Sequence, residues 1–151
     1  MKTATTIRTK VTGTAESHSL TLLKTRDLVD VSDEPTERGG TNEGMAPTEL
    51  FLGSLAACAN VISHKVAKQN DIALLALEIT VDAAFNRLGV TLQEEVELPF
   101  PDIRLRIEVT TAASDEQLAT LKNDLPKFCP VSKMIEQAGT KIETEWIINR
   151  P

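Results

Sequence analysis

From Pro47 to about Asn70 the chain is made of good helix formers, and Leu50, Phe51, Leu52, Leu55, Ala56, Ala57, Cys58, Ala59, Val61 and Ile62 cover nearly every side of the helix they predict. A helix apolar all round does not belong on a surface, so the rest of the fold has to be arranged about this one. In 151 residues with 41% hydrophobic content there is core for one domain, residues 1–151, and not comfortably for two. Covering such a helix on all sides in so small a domain also points to burial by a partner subunit, and so to a homodimer.

The flanking segments define the fold class. Thr5–Val11 and Ser19–Leu23 mix β-branched and apolar residues around Gly13, which predicts opening strands and a hairpin, with a third strand at Leu28–Val31. Asp33 to Pro47 carries Asp-Glu-Pro, Gly39-Gly40 and Gly44 and reads as a loop, long enough to be functional. After the helix, Leu77, Ile79, Val81, Ala83 and Phe85 alternate with mostly polar residues, and Ile103, Leu105, Ile107 and Val109 repeat the pattern. Ser114 and Gln117 resemble a capping box opening a helix that Pro126 is expected to end. A short helix follows from Pro130 to Ala138 with Gly139 as its stop, and a last strand places Ile142, Thr144, Trp146 and Ile148 on one face. Strands, long helix, two strands, two helices, strand: the order is that of an α+β domain rather than a doubly wound sheet.

A formal charge of −6 and a pI near 5.0 disfavour nucleic acid and anionic membranes as partners, because both need clustered Lys and Arg. Met1–Lys10 holds no apolar run of the kind a secretion signal needs, and nowhere do eighteen apolar residues follow one another, so a cytoplasmic protein without a spanning helix is expected. In that compartment Cys58 and Cys129 are not expected to form a structural staple. Either they are buried inert thiols or they do redox work.

Cys58, inside the apolar helix, reads as a small packing residue or as a functional thiol. Cys129 precedes Pro130 at a helix start, where unpaired N–H groups and the positive end of the dipole favour a thiolate; a packing or capping role suits the position equally. Arg38 in the glycine loop is either a solvated charge or a cation serving a thiol. His64 follows Cys58 by six residues, about 240° around the helix, which makes it a poor base or co-ligand, and His18 supports no role. Cys58, Cys129, His64 and Glu49 lack metal-ligand spacing, so no metal or other cofactor is expected.

The run Gly44-Met45-Ala46-Pro47-Thr48-Glu49-Leu50, followed by Ala56-Ala57-Cys58 within a helix, resembles the first-cysteine motif of the OsmC/Ohr superfamily. Cys129-Pro130-Val131-Ser132, 71 residues beyond Cys58, is similar to its second-cysteine motif, and the likeness runs from Arg38 to Ile148. The Asp-Glu-Pro, Gly-Gly and Pro-Thr-Glu-Leu pattern is closest to an OsmC-like branch of that superfamily. The resemblance implies strands packed around long helices in an intertwined homodimer, with the thiol site where the subunits meet. It further implies a thiol-dependent peroxidase of the peroxiredoxin kind that reduces organic hydroperoxides. In such an enzyme Cys58 would attack the peroxide, Cys129 would resolve the sulfenic acid, Arg38 would steady the thiolate, and a lipoyl protein or thioredoxin-like dithiol would restore the thiols.

One position departs from the family pattern. The carboxylate that orients the arginine stands ten residues before the cysteine in the characterised peroxidases, and here that residue is Thr48, with Glu49 next. One residue is 100° on a helix, so Glu49 either supplies the carboxylate from a shifted position or caps and holds the glycine loop. A redox sensor, or a non-catalytic protein binding an apolar small molecule, is the alternative on the same fold.

Overall fold

The computed structural model describes residues 4–151, so the first three residues of the Met1–Lys10 stretch lie outside the described residues. The chain divides into two compact units, Met1–Phe51 and Leu52–Pro151.

The first unit is a three-stranded antiparallel meander, β1 (Thr12–Ala15), β2 (Thr21–Thr25) and β3 (Leu28–Ser32). The strand expected at Thr5–Val11 is not formed, and Gly13 lies inside β1 opposite Leu23 rather than in a turn. The reason is register: β2 has five residues, and Thr12–Ala15 occupy its pairing positions from Lys24 to Thr21. The reversal falls instead at Glu16–Leu20, closed by Glu16 N–H on the Leu20 carbonyl and by Leu20 N–H on the Ser17 hydroxyl. Arg26, at φ 52°, turns the chain from β2 into β3.

Beyond β3 comes the expected loop, interrupted by one 3₁₀ turn, Thr36–Arg38. It folds back on itself so closely that a side chain on Gly40 would strike the Glu34 backbone and one on Gly44 the Val31 carbonyl; only glycine fits either place. Met45 pairs with Ser32 in a parallel bridge, reinforced by Ser32 Oγ donating to the Met45 carbonyl.

The helix α1 (Pro47–Gln69) begins in the first unit and continues through the second. By length and composition it could cross a membrane, with a mean hydropathy of 1.3 over eighteen residues, although no unbroken run of eighteen apolar residues occurs. In this fold it is a core helix: Leu55 and Ala59 join one apolar cluster, Val66 and Ala67 another. Its burial in the single chain is confined to one face, and Val61 stands 48% exposed.

The second unit carries β4 (Ala76–Ala83), β5 (Asp102–Thr110) and β6 (Lys141–Asn149), with β5 central, antiparallel to β4 and parallel to β6. A parallel neighbour requires a crossover, and α2 (Asp115–Phe128) and α3 (Pro130–Gln137) supply it. Ile103, Leu105, Ile107 and Val109 of β5 are buried, as their alternation predicts, each contributing about 1.5–3 kcal/mol of apolar burial. Phe85 lies beyond the end of β4 and packs on Phe100 with ring centroids 5.0 Å apart. On β6, Ile142, Trp146 and Ile148 pack against the core, while Thr144 is exposed.

The capping box is present in full, Ser114 Oγ accepting from Gln117 N–H and the Gln117 side chain accepting from Ser114 N–H. Pro126 does not end α2, which continues to Phe128. A proline so near the C-terminus removes only its own N–H from the ladder, and Cys129 N–H closes the last turn on the Leu125 carbonyl at 3.0 Å.

Candidate thiol site

Pro130 determines the local backbone at the second cysteine. The residue before a proline is steered away from the helical region, and Cys129 sits at φ −78°, ψ 107°, at once the C-cap of α2 and the N-cap of α3. Pro130 then occupies the first helical position, where a missing N–H is harmless. In that geometry the Cys129 sulfur accepts from Ser132 N–H at 3.4 Å, as a capping side chain does. Cys129 is fully buried, within the apolar cluster of Leu55, Ala59, Leu125 and Ile135.

Cys58 reaches the same point from α1. It lies half-buried beside Ala59, and its Sγ is 2.8 Å from Cys129 Sγ, the two thiols in direct contact. Both belong to the second unit, and both are free thiols. Burial pushes the Cys58 thiol up from its ordinary pKa, and the neighbouring Cys129 thiol acts in the same direction. Val131 N–H, from the first turn of α3, and the Lys65 ammonium oppose this. The opening amides of α3 thus serve both sulfurs, Val131 N–H at Cys58 and Ser132 N–H at Cys129. Lys65 follows Cys58 by seven residues, two turns along the same helix face; that spacing is legible in the sequence and is the signal that finds it.

In the first unit Arg38 ends the 3₁₀ turn with its guanidinium exposed and paired with the Glu34 carboxylate, which raises its pKa further. Glu34 is not among the residues that the motifs single out, although its i,i+4 spacing to Arg38 is a sequence signal for such a pair. Glu49 accepts from Ala46 N–H at 2.8 Å. This is the capping role: Ala46 has no side-chain acceptor, and Glu49, three residues on, reaches back to the N-cap amide. His64 is exposed, a ring nitrogen bonded to the Asn60 carbonyl, as expected of a surface histidine.

The anchor of the loop is Asp33, a residue the sequence reading leaves unassigned. It is fully buried, and it accepts from Thr41 Oγ at 2.6 Å, from Thr41 N–H at 2.9 Å, from Glu34 N–H at 2.8 Å and from Glu43 N–H at 3.2 Å. The Thr41 hydroxyl above all, with the Ser19 side chain and the amides of Glu43 and Thr41, holds its carboxyl far below the usual carboxylate range against the opposing effect of burial. An aspartate followed within ten residues by a threonine and two glycines is the trace such a carboxylate-centred loop leaves in a sequence.

Comparison with known proteins gives the family described as OsmC-like protein, matched over residues 40–145. Among curated proteins no sequence matches the chain. Among solved structures, an OsmC like protein from Mycoplasma pneumoniae is similar at a TM-score of 0.80 and 17% identity, covering 95% of this chain and 98% of that one. An organic hydroperoxide resistance protein from Elizabethkingia anophelis, with thiocyanate bound, is similar at 0.68 and 19% identity over the whole of both chains. A putative organic hydroperoxide resistance protein from Vibrio cholerae, with captopril bound in one of the active sites, is similar at 0.61 and 24% identity, covering 98% of this chain and 96% of that one. At these identities the likeness is one of fold.

Proposed function

Because this chain belongs to the OsmC-like protein family and brings its two cysteines into contact, we propose that it is a thiol-dependent peroxidase acting on organic hydroperoxides. Family membership supports a redox, peroxide-related role; the thiol contact is the observation that carries the finer reading. A pair of buried inert thiols has no need to meet across 71 residues with helix amides aimed at both sulfurs.

In this reading the Cys58 thiolate attacks the distal oxygen of the hydroperoxide. The O–O bond breaks, Cys58 becomes a sulfenic acid, and the alkoxide leaves and is protonated to the alcohol. The Cys129 sulfur then attacks the sulfenic sulfur, water departs with the Cys129 proton, and a disulfide forms. A dithiol of the lipoyl or thioredoxin-like class returns both residues to thiols. Arg38, oriented by Glu34, is the cation this chemistry calls for, and Glu49 contributes by fixing the start of α1. The active species is proposed to be a homodimer, with the exposed apolar side chains Val61, Phe128 and Met134 as part of the surface to be covered.

One equivalent of cumene hydroperoxide added to the reduced protein is expected to give an intramolecular Cys58–Cys129 disulfide by mass spectrometry, and Cys129→Ser to stop at the sulfenic acid. Two free thiols after that treatment exclude the reading.

A further inference from the structure

The second unit holds a cavity of about 370 Å³, lined from β5, β6, α2 and α3 and by neither cysteine. That is within the usual range for small-molecule sites. Its inner wall is apolar: Leu105 and Leu125 are each 2% exposed, and Ile142 and Trp146 are half-buried.

Besides Thr144, three polar side chains share this space without satisfying one another. Ser132 is only 4% exposed; its amide is committed to Cys129, and its hydroxyl makes no hydrogen bond among the described residues. Its oxygen is not wholly withdrawn from solvent, so it is open to a molecule in the cavity. Lys122 and Glu136, from α2 and α3, both line the cavity and are exposed. Neither forms an ion pair with the other, or with any other side chain among the described residues. Pro126 lies in the same wall and has no N–H to give the Lys122 carbonyl, so that helix carbonyl loses its regular donor there.

We propose that this cavity binds a small apolar zwitterion, of which an α-amino acid with a branched aliphatic side chain is the simplest example. The ligand carboxylate takes Lys122 and the Ser132 hydroxyl, the ammonium takes Glu136, and the aliphatic group lies on Leu125, Ile142 and Trp146. Charge decides the class. A monoanion serves Lys122 but meets Glu136, a monocation does the reverse, and an uncharged apolar molecule leaves all three polar groups as they were.

Trp146 is the only tryptophan in the chain, so its emission reports on the wall directly. The reduced protein is titrated, with no oxidant present, with L-leucine, 4-methylpentanoate and 3-methylbutylamine at constant ionic strength. Amide NMR shifts of Ser132 and Thr144 serve as a second readout. Leucine is expected to saturate both signals, with affinity about tenfold or more above either half-ligand. Lys122→Met and Glu136→Gln, both at exposed positions, should each weaken leucine about tenfold without changing the circular dichroism, and Ser132→Ala should weaken it less. Absence of a saturable response to leucine up to tens of millimolar, equal binding of 4-methylpentanoate, or unchanged affinity in both charge variants overturns the assignment. None of these measurements depends on peroxide turnover.

Discussion

Asp33 in the first unit is fully buried and Cys58 in the second is half-buried, and withdrawal from water by itself disfavours the charged form of each. Their pKa values nevertheless move in opposite directions. Asp33 is met by a hydroxyl and three backbone amides, and its carboxyl is held low. Cys58 is met by one backbone amide, the Lys65 ammonium and a second thiol, and its pKa rises. Burial sets the penalty; the number of donors aimed at the charged form decides whether it is overcome. The glycine loop is accordingly built around a carboxylate favoured in its charged form, and the Cys58 thiol is favoured in its neutral form, from which a thiolate must be drawn.

The largest effect is expected from removing the well-served charge. Asp33→Ala leaves the amides of Glu34, Thr41 and Glu43 without their acceptor and should lower the melting temperature by about 10 °C or more. Hydrogen exchange should show the loss concentrated between residues 33 and 45. A variant with wild-type protection in that segment would break the comparison at its stronger end.

Acid should act on the same group. Because its folded pKa lies below the unfolded value, the stability that Asp33 contributes is present above about pH 4, the ordinary aspartate pKa, and is lost as pH falls toward the folded value. Thermal melts from pH 7 down to pH 2 should therefore converge for the wild-type protein and Asp33→Asn. Parallel curves would assign the acid sensitivity elsewhere.

At the thiol pair the expected change is smaller and runs the other way. Cys129 contributes to the raised pKa of Cys58, so Cys129→Ala should bring the Cys58 midpoint down toward the ordinary value near 8.5, and iodoacetamide should react several-fold faster at neutral pH. The raised pKa also implies that whatever stability Cys58 contributes is complete below the unfolded pKa near 8.5 and is lost as pH rises through the folded value. Slower alkylation in the variant would mean that Cys129 supports the thiolate rather than opposing it.

Lys65→Gln should give the smallest shift, a further slight rise in the Cys58 pKa. Lys65 is exposed, so the difference between variant and wild type should shrink as salt is raised from about 0.01 M to 1 M. A salt-independent difference would point to a packing effect of the lysine stem instead.

Several elements follow from short stretches of chain, and these the sequence determines by itself. The alternation of Ile103, Leu105, Ile107 and Val109 fixes a strand with one buried face, Ser114 and Gln117 fix the start of α2, and Pro130 fixes where Cys129 caps α3. Each depends on neighbours within a few residues, so periodicity and capping chemistry suffice. The strand expected at Thr5–Val11 has suitable residues but no partner, because strand formation is decided by register on β2 and not by composition. Pro126 likewise carries a reliable local penalty, which the last turn of α2 tolerates. Residue chemistry alone leaves Cys58 and Cys129 open between packing and redox roles; their motifs point to the pair through family likeness, and only the tertiary structure places the sulfurs 2.8 Å apart. It also decides that Glu34 takes Arg38, that Glu49 closes the start of α1, and that Asp33 organises the loop. Contacts of this kind depend on which donors the folded backbone turns toward a side chain, and the same residue types at the same spacing do not specify that direction before the chain has folded.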